Sequence, residues 1–360
     1  MAACSKIIDL FCGAGGLSLG AHRAGFTTAL AVDVDSTLTS SFAENFPGSN
    51  LLVQDISRVS GQKLIETAGM NDGEAFGLVG GPPCQGFSLM GRRDANDPRN
   101  TLIGHFFRIV QETKPAFFVM ENVPGLLLGS ARSFLDDAMS DLKGYNVLGP
   151  IRVDASDFGA ATKRERVIIV GLRDGKITEE CLNERKVQLK ATVRGAIADL
   201  PEPAASGWGS YPNERQISEY ATRARLIDPS LGAAAFREKT RVGKVSGLQP
   251  TKHSKDVRKR FSKVAPGKSD EISRCPRLDW DRLSPTLRAG TGPDHGSFQS
   301  IRPIHPARNR VITVREAARL QGFPDWFKFH ETKWHSFRMI GNSVSPLVSE
   351  ALLKTVAAGS

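Results

Sequence analysis

The chain has 360 residues, 40 % of them hydrophobic and 24 % charged, which is typical of globular proteins and excludes disordered or fibrous classes. Its length exceeds that of one ordinary domain, and its formal net charge of +10 suits a polyanionic partner without identifying one. No apolar run reaches membrane-spanning length, and the first residues lack the pattern of a signal peptide. We therefore expect a cytoplasmic protein of two domains with no membrane partner.

Short β-like runs alternate with amphipathic helical stretches over the first 172 residues. The predicted strands are Lys6–Phe11, Thr27–Val34, Leu51–Gln54, Phe76–Gly80, Ala116–Met120 and Arg166–Leu172. The predicted helices, which all end close to a glycine or a proline, are Leu17–Ala24, Thr101–Thr113 and Ala131–Leu142. This alternation predicts a mostly parallel α/β sheet with helices on both faces.

The regular pattern is lost from about residue 173 to residue 305, where Gly, Pro, Ser and basic residues accumulate. Between Tyr211 and Asp270 there are 14 Lys or Arg residues against 6 Asp or Glu residues. This excess predicts either a phosphate-contacting surface or a solvated lysine-rich face, and charge alone does not separate the two. Two helices are predicted beyond this region, at Thr313–Gln321 and Ser345–Ala357.

A glycine-rich turn, Asp9–Leu17, follows the first predicted strand. Turns of this kind let a nucleotide-like ligand approach the backbone. Ser18 stands where the dinucleotide fingerprint requires its last glycine, which argues against NAD. Asp33 and Asp55 each follow a later strand, so they are candidates for holding an adenosine, although either could be a solvated turn residue.

Cys84 lies in the loop Gly80–Ser88, directly after an apolar strand. Its neighbouring prolines and glycines forbid regular structure, so the thiol is expected to face a ligand at the carboxyl end of the sheet. The remaining cysteines are interpreted as small buried hydrophobic residues; they are Cys4, Cys12, Cys181 and Cys275. No C-x-x-C spacing occurs, so we expect neither a disulfide framework nor a metal site.

Glu121 follows the apolar run Ala116–Met120 and is therefore expected at the mouth of the same cleft. A glutamate in this position is often an ordinary turn residue. A thiol and a carboxylate at neighbouring strand ends are, however, suited to nucleophilic attack coupled to proton donation.

These segments, in this order, resemble the cytosine C5 DNA methyltransferase family over nearly the whole chain. The matching segments are DLFCGAGGLSLG, GGPPCQGFS, MENV, Arg164-Glu165-Arg166, TVREAARLQGFPD and IGNSV. The resemblance implies a Rossmann-like S-adenosylmethionine-dependent methyltransferase core and a smaller, irregular, mostly β target-recognition domain. The implied catalytic domain is 1–172 plus 335–360, and the implied target-recognition domain is 173–334.

The resemblance also implies residue roles. Cys84 would be the nucleophile, Glu121 would contact the cytosine N3, and Arg164 and Arg166 would complete the catalytic group. The residues implied to bind S-adenosylmethionine are Phe11, Gly13, Gly16, Asp33, Asp55, Ile56, Gly81, Leu102, Asn342 and Val344. The residues implied to contact the substrate are Pro82, Gln85, Ser88, Arg99 and Thr286.

The implied partner is double-stranded DNA, bound by a monomer, and the family also allows for a cognate restriction endonuclease. Ala161-Thr162 departs from the family's usual Pro-Gln, and Asp33 stands where Glu is common. Three alternatives rank behind the DNA enzyme: an RNA cytosine C5 methyltransferase, a noncatalytic DNA-binding regulator and an NAD oxidoreductase. The long basic region before TVREAARLQGFPD favours DNA over RNA, and the retained Cys84 and Glu121 favour an enzyme over a regulator.

Overall fold

The computed structural model describes residues 5–71, 73–83, 101–140, 142–212, 217–290 and 302–359. Four residues with predicted roles lie outside these ranges: Cys84, Gln85, Ser88 and Arg99. Cys4 lies outside them as well. No helix in the described part of the chain is both long and apolar enough to cross a membrane.

The described strands β1 to β7 form one sheet in the order β3-β2-β1-β4-β5-β7-β6. Their bounds are Lys6–Leu10, Thr27–Asp33, Asn50–Val53, Phe76–Gly80, Phe117–Asn122, Asn146–Asp154 and Glu165–Leu172. Strands β1 to β5 pair in parallel, whereas β7 runs antiparallel to β5 and β6. The prediction of a mostly parallel sheet is confirmed.

Strand β6 was not predicted, and its residues explain why. It lies at the edge of the sheet and is mostly half-exposed, so it lacks the continuous apolar run of the central strands. Gly149 and Pro150 interrupt it, and its register with β7 shifts between Leu148 and Ile151. Gly and Pro inside a strand signal a bulge or an edge, which a search for apolar runs passes over.

Helices cover both faces of the sheet, as predicted. The helices α1 to α5 are Gly16–Arg23, Phe42–Asn45, Gly61–Thr67, Thr101–Thr113 and Gly129–Met139, and the C-terminal helices α12 and α13 are Lys333–Asn342 and Pro346–Gly359. An apolar core lies on each face of the sheet, and adjacent residues of β1 point to opposite faces. Ile7 packs in one core with α1 and α13, whereas Ile8 packs in the other with α4 and α5. Both apolar cores therefore pack against the sheet, one on each face.

The region 173–334 is irregular, as predicted, but its described residues form more helix than strand. Its helices α6 to α11 are Glu179–Asn183, Val193–Ile197, Glu219–Arg225, Ala234–Arg241, Lys255–Ser262 and Val314–Gln321, and its strands β8 and β9 are Trp208–Ser210 and Lys244–Ser246. Ser218 and Ser254 cap two of the helices by accepting hydrogen bonds from backbone N–H groups three residues on. A serine directly before a helical stretch was the sequence signal that could have predicted these two helices, but the irregular basic composition of the region made it hard to recognise.

Helix α11 connects the irregular region to the core. The guanidinium of Arg319 is fully buried and pairs with the carboxylates of Asp325 and Asp199. On its other side, α11 shares an apolar cluster with Cys12 and Leu19 of the first predicted domain. The division of the chain at residues 173 and 334 stays a prediction.

Candidate active site

A cavity of about 760 Å³ opens at the carboxyl ends of β1, β2, β4 and β5. Its volume lies within the range of small-molecule sites, and open α/β sheets bind ligands at this edge. All of the predicted cofactor residues line it: Phe11, Gly13, Gly16, Asp33, Asp55, Ile56, Gly81, Leu102, Asn342 and Val344. The lining also includes Pro82, Glu121, Arg164 and Arg166, so one cavity joins the predicted cofactor and catalytic groups.

The glycine-rich turn forms one wall of the cavity with an unusual backbone. Phe11 adopts a φ of 59° and Gly13 a φ of 51°, in the left-handed region that a bulky residue rarely occupies. A Cβ on Gly13 would meet no atom within 4 Å, so the backbone there is open to a ligand. A Cβ on Gly16 would instead lie 2.2 Å from the carbonyl oxygen of Val344, so this glycine allows the C-terminal segment to pack against the turn.

Asp33 lies at the end of β2 beside that turn. Its carboxylate accepts hydrogen bonds from the N–H groups of Gly13, at 2.8 Å, and Asp35, at 2.9 Å. Burial raises its pKa, and the two hydrogen bonds oppose that shift. Each oxygen receives one of these bonds, which leaves further acceptor capacity for a ligand hydroxyl.

Asp55 and Ile56 form the opposite wall. The Asp55 carboxylate accepts a hydrogen bond from the Ser57 N–H at 2.9 Å, and the bonds to Ser57 lower its pKa. The guanidinium of Arg108 on α4 donates to the carbonyl oxygens of Ile56, at 2.9 Å, and Val59, at 3.0 Å. No sequence pattern distinguishes Arg108, because an arginine within an amphipathic helix resembles any residue on a solvated helix face.

Glu121 is 7 % exposed near the end of β5, and its Oε1 lies 2.7 Å from the Nε of Arg166 on β7. The pairing follows from the sheet, in which the antiparallel strands β5 and β7 are neighbours. Despite this short distance, Oε1 accepts no hydrogen bond of normal geometry within the described residues. A Cβ on Gly81 would lie 3.1 Å from the other oxygen of Glu121, so the carboxylate borders the loop that leads to Cys84.

Asn122 fixes the start of that loop. Its side-chain amide donates to the Pro82 carbonyl at 3.1 Å, and its amide oxygen accepts from the Val123 N–H at 2.8 Å. Because Asn122 is 3 % exposed, these contacts set the direction in which the chain enters the Cys84 segment. The sequence showed Asn122 only as part of the family motif, with no role.

Arg164 is placed differently from Arg166. It is 2 % exposed, and its guanidinium donates to the carbonyl oxygens of Leu287, at 3.3 Å, and Gly341, at 2.9 Å. Burial lowers its pKa from the usual value for arginine. These contacts join three distant chain segments around the cavity, so the described geometry supports an organising role for this side chain.

Thr286 does not line the cavity, but it is held close to the arginine motif. Its hydroxyl donates to the Lys163 carbonyl at 2.6 Å. The fully buried Thr162 lies with its hydroxyl 3.2 Å from the Ser284 carbonyl oxygen and 3.1 Å from that of Pro285. The departure from the family's usual Pro-Gln therefore places a short hydroxyl side chain where two backbone segments meet.

The other described cysteines differ in exposure. Cys12 and Cys275 are buried, as predicted. Cys181 is exposed, so its prediction as a buried residue is wrong. It lies in the short helix α6, where its neighbour Leu182 is the buried residue. Among the described residues, no group of His, Cys, Asp and Glu side chains could hold a metal ion.

Comparisons with known proteins agree with this arrangement. A family model for C-5 cytosine-specific DNA methylases matches residues 5–358. The Type II methyltransferase M.XorII of Xanthomonas oryzae pv. oryzae is 41 % identical over 96 % of this chain and 82 % of its own length. The Type II methyltransferase M.AgeI of Thalassovita gelatinovora is 30 % identical over 98 % of this chain and 99 % of its own.

Solved structures show the same relationship. The crystal structure of a putative DNA modification methyltransferase encoded within an E. coli prophage matches with a TM-score of 0.87 and 40 % identity, over 98 % of this chain and 99 % of that one. The S. pombe Dnmt2 methyltransferase matches with a TM-score of 0.62 at 17 % identity, covering 96 % of each chain. At that identity the second likeness shows the fold alone.

Proposed function

The chain belongs to the C-5 cytosine-specific DNA methylase family and is a DNA cytosine-5 methyltransferase, and we propose that its cavity works as follows. The Cys84 thiolate adds to C6 of a cytosine that has left the duplex, while Glu121 donates a proton at N3. The addition turns C5 into an enamine carbon that can attack an electrophilic methyl group. Water then takes the C5 proton, the Cys84 thiolate leaves C6, and N3 returns its proton to Glu121, which restores the aromatic ring.

The Glu121–Arg166 pair is the observation that carries this proposal. Glu121 must hold a proton opposite N3 during the addition, and the 2.7 Å contact with Arg166 fixes the position of its carboxyl group. The guanidinium of Arg166 lines the same cavity, and we propose that its positive charge favours the thiolate form of Cys84. Because β5 and β7 are neighbouring strands, Glu121 and Arg166 are positioned for the base before it binds.

The methyl donor implied by the family is S-adenosylmethionine, which supplies an electrophilic methyl group when it is bound. The lining residues fit such a group. Gly13 leaves open space beside the backbone, and Asp33 keeps acceptor capacity for hydroxyl groups. Val34, whose side chain is 69 % exposed, and Ile56 give the cavity apolar surface for a flat base.

The substrate proposed for the enzyme is double-stranded DNA. The target carbon is inaccessible within the stacked duplex, so the cytosine must first leave the helix. Extruding the base costs a few kcal/mol, and contacts within the cavity and along the phosphate backbone compensate for this cost. The relatives named above are Type II methyltransferases, so we also propose that a restriction endonuclease acts at the same DNA site. The enzyme is proposed to act as a monomer that needs no metal.

Bisulfite sequencing of genomic DNA from a methylation-deficient host that expresses the protein tests this function. We expect protected cytosines within one recurring sequence motif, and their loss when Glu121→Gln replaces the wild type. A host genome without protected cytosines, from cells that contain folded protein, would contradict the proposal.

A further inference from the structure

Four cations from three separate segments surround the start of helix α12. Lys252 lies in the loop before α10, and Arg258 lies within α10. Arg302 precedes α11, and Lys333 is the first residue of α12. These four side chains, together with the neighbouring His253 ring, are called the α12 basic patch below.

Contacts between these segments bring the charges together. The Lys333 ammonium donates to the Pro250 carbonyl at 2.7 Å, which places it beside Lys252 two residues further on. The Arg302 guanidinium lies 4.2 Å from the ring centre of Phe337. Because Phe337 follows Lys333 by one helical turn, Arg302 and Lys333 lie along the same side of α12.

Within the described residues, none of the four cations forms an ion pair with a carboxylate. Burial, followed by the charges of Arg302 and Lys252, lowers the pKa of Lys333. Burial, followed by the charges of Lys333 and Arg258, lowers the pKa of His253. The cations therefore repel one another, and an anion placed among them would relieve that repulsion.

Arg260 shows the contrast within the same helix. Its guanidinium pairs with the 1 % exposed carboxylate of Asp270, with an N–O distance of 2.7 Å, so its charge is used within the fold. Arg258, two residues earlier, is exposed and has no such partner among the described residues. The cations of the basic segment Tyr211–Asp270 are thus not all available to bind phosphate, and Arg258, which is available, belongs to the α12 basic patch.

The position of the patch suits a duplex that enters the active site. Helix α12 runs from Lys333 to Asn342, which lines the cavity. Nine residues of helical rise place the two ends about 14 Å apart, a span of a few nucleotides along one strand. A phosphate held at Lys333 would therefore lie close to the strand whose base enters the cavity.

We propose that the α12 basic patch binds backbone phosphates of the DNA next to the extruded cytosine, with Arg302 and Lys333 as its principal contacts. This inference rests on the proposed DNA substrate. Arg302 is oriented by the Phe337 ring and Lys333 by the Pro250 carbonyl, so both cations are partly ordered before DNA arrives. Phosphate contacts of this kind position the duplex without reading its sequence.

The test compares two double variants that remove the same charge. Arg302→Gln/Lys333→Gln removes the principal contacts, whereas Lys114→Gln/Lys143→Gln removes two exposed lysines at the opposite edge of the sheet, next to the starts of β5 and β6. Fluorescence anisotropy with a duplex of arbitrary sequence is measured over a series of salt concentrations. The first variant should bind at least about tenfold more weakly and lose up to about 2 from its log–log salt slope, while the control keeps the wild-type slope.

Charge-conserving changes guard against a folding effect. Arg302→Lys/Lys333→Arg should keep the slope close to that of the wild type, and matching melting temperatures should accompany all three variants. An unchanged slope in Arg302→Gln/Lys333→Gln, or an equal loss in the control, would overturn the phosphate site. Methylation by the wild-type enzyme is a separate readout, so failure of the patch and failure of the proposed function are distinguishable.

Discussion

Among single residues, Glu121 is the one on which the proposed chemistry depends most, because its carboxylate is buried beside Arg166 and yet borders an open cavity. Glu121→Gln keeps the size and hydrogen bonding of the side chain but cannot deliver a proton to N3. We expect turnover to fall by on the order of 10²-fold or more, because general acid catalysis contributes about that much.

Two measurements accompany that change. Methyl transfer to DNA is followed with a tritium-labelled donor, and donor binding is followed by calorimetry. Donor affinity should stay within about threefold of the wild type if Glu121 acts on the base. Near-normal turnover would remove Glu121 from the chemistry, and a large loss of donor affinity would move it to the cofactor site.

Asp9 is a second residue whose environment makes a prediction. Its side chain is fully buried at the start of the glycine-rich turn, it accepts a hydrogen bond from Ser18 at 2.6 Å, and burial raises its pKa to about 7. An acid whose pKa is higher in the folded state binds a proton that the unfolded chain releases above pH 4. The free energy of unfolding therefore falls progressively as the pH rises from about 4 to about 7.

Asp9→Asn removes this titration. The variant should be more stable than the wild type by about 4 kcal/mol near pH 8, and the difference should shrink towards pH 4. Urea unfolding of both proteins at the two pH values measures it. A difference that is independent of pH would show that the pKa of Asp9 is not raised in the folded protein.

At the scale of elements, the contact between the glycine-rich turn and the C-terminal segment closes the catalytic core. Gly16 begins α1, and a Cβ there would overlap the Val344 carbonyl. Gly16→Ala should destabilise the protein by roughly 2 kcal/mol through overpacking and should weaken donor binding, because Gly16 and Val344 both line the cavity.

Gly48→Ala is the matched control, since a Cβ at Gly48 meets nothing within 4 Å. Denaturant unfolding and calorimetry of the donor should leave this variant close to the wild type. Equal losses of stability in the two variants would contradict the claim that the close contact with the Val344 carbonyl requires glycine at position 16.

The elements also show how far the sequence could be read in advance. The central strands were predicted because they are buried on both faces and form continuous apolar runs, and β6 was missed because it is a half-exposed edge strand interrupted by Gly149 and Pro150. The strand ends alone indicated only the glycine-rich turn, Asp33 and Asp55 as candidates for the cofactor site, and the remaining lining residues were implied by the resemblance to the methyltransferase family. The contacts of Thr162 with Ser284 and Pro285 join residues more than 120 positions apart, and no local pattern reports such a pairing.

At the scale of the whole molecule, charge and chemistry are separated in space. The sheet edge gathers the cavity, Glu121 and Arg166, whereas the cations available for phosphate contact lie on the irregular region and at the start of α12. Helix α11 connects the two parts, because its buried Arg319 pairs with Asp199 and Asp325 of the irregular region and its apolar residues pack with Cys12 and Leu19 of the catalytic core. Overall charge predicted a polyanionic partner, but only the folded chain distinguishes free cations such as Arg258 from paired ones such as Arg260.

The proposed mechanism depends on a covalent bond between Cys84 and the target base, and a fluorinated substrate tests for this bond. Fluorine at C5 cannot leave as a cation, so the methylated base cannot eliminate and the protein stays attached. Protein, S-adenosylmethionine and DNA with 5-fluorocytosine at the methylated site should give a band that survives denaturing electrophoresis. Cys84→Ala should abolish that band, and Cys181→Ala, which removes the exposed thiol of α6, should not. An adduct that persists in Cys84→Ala, or its absence from wild-type protein that methylates ordinary DNA, would contradict the account.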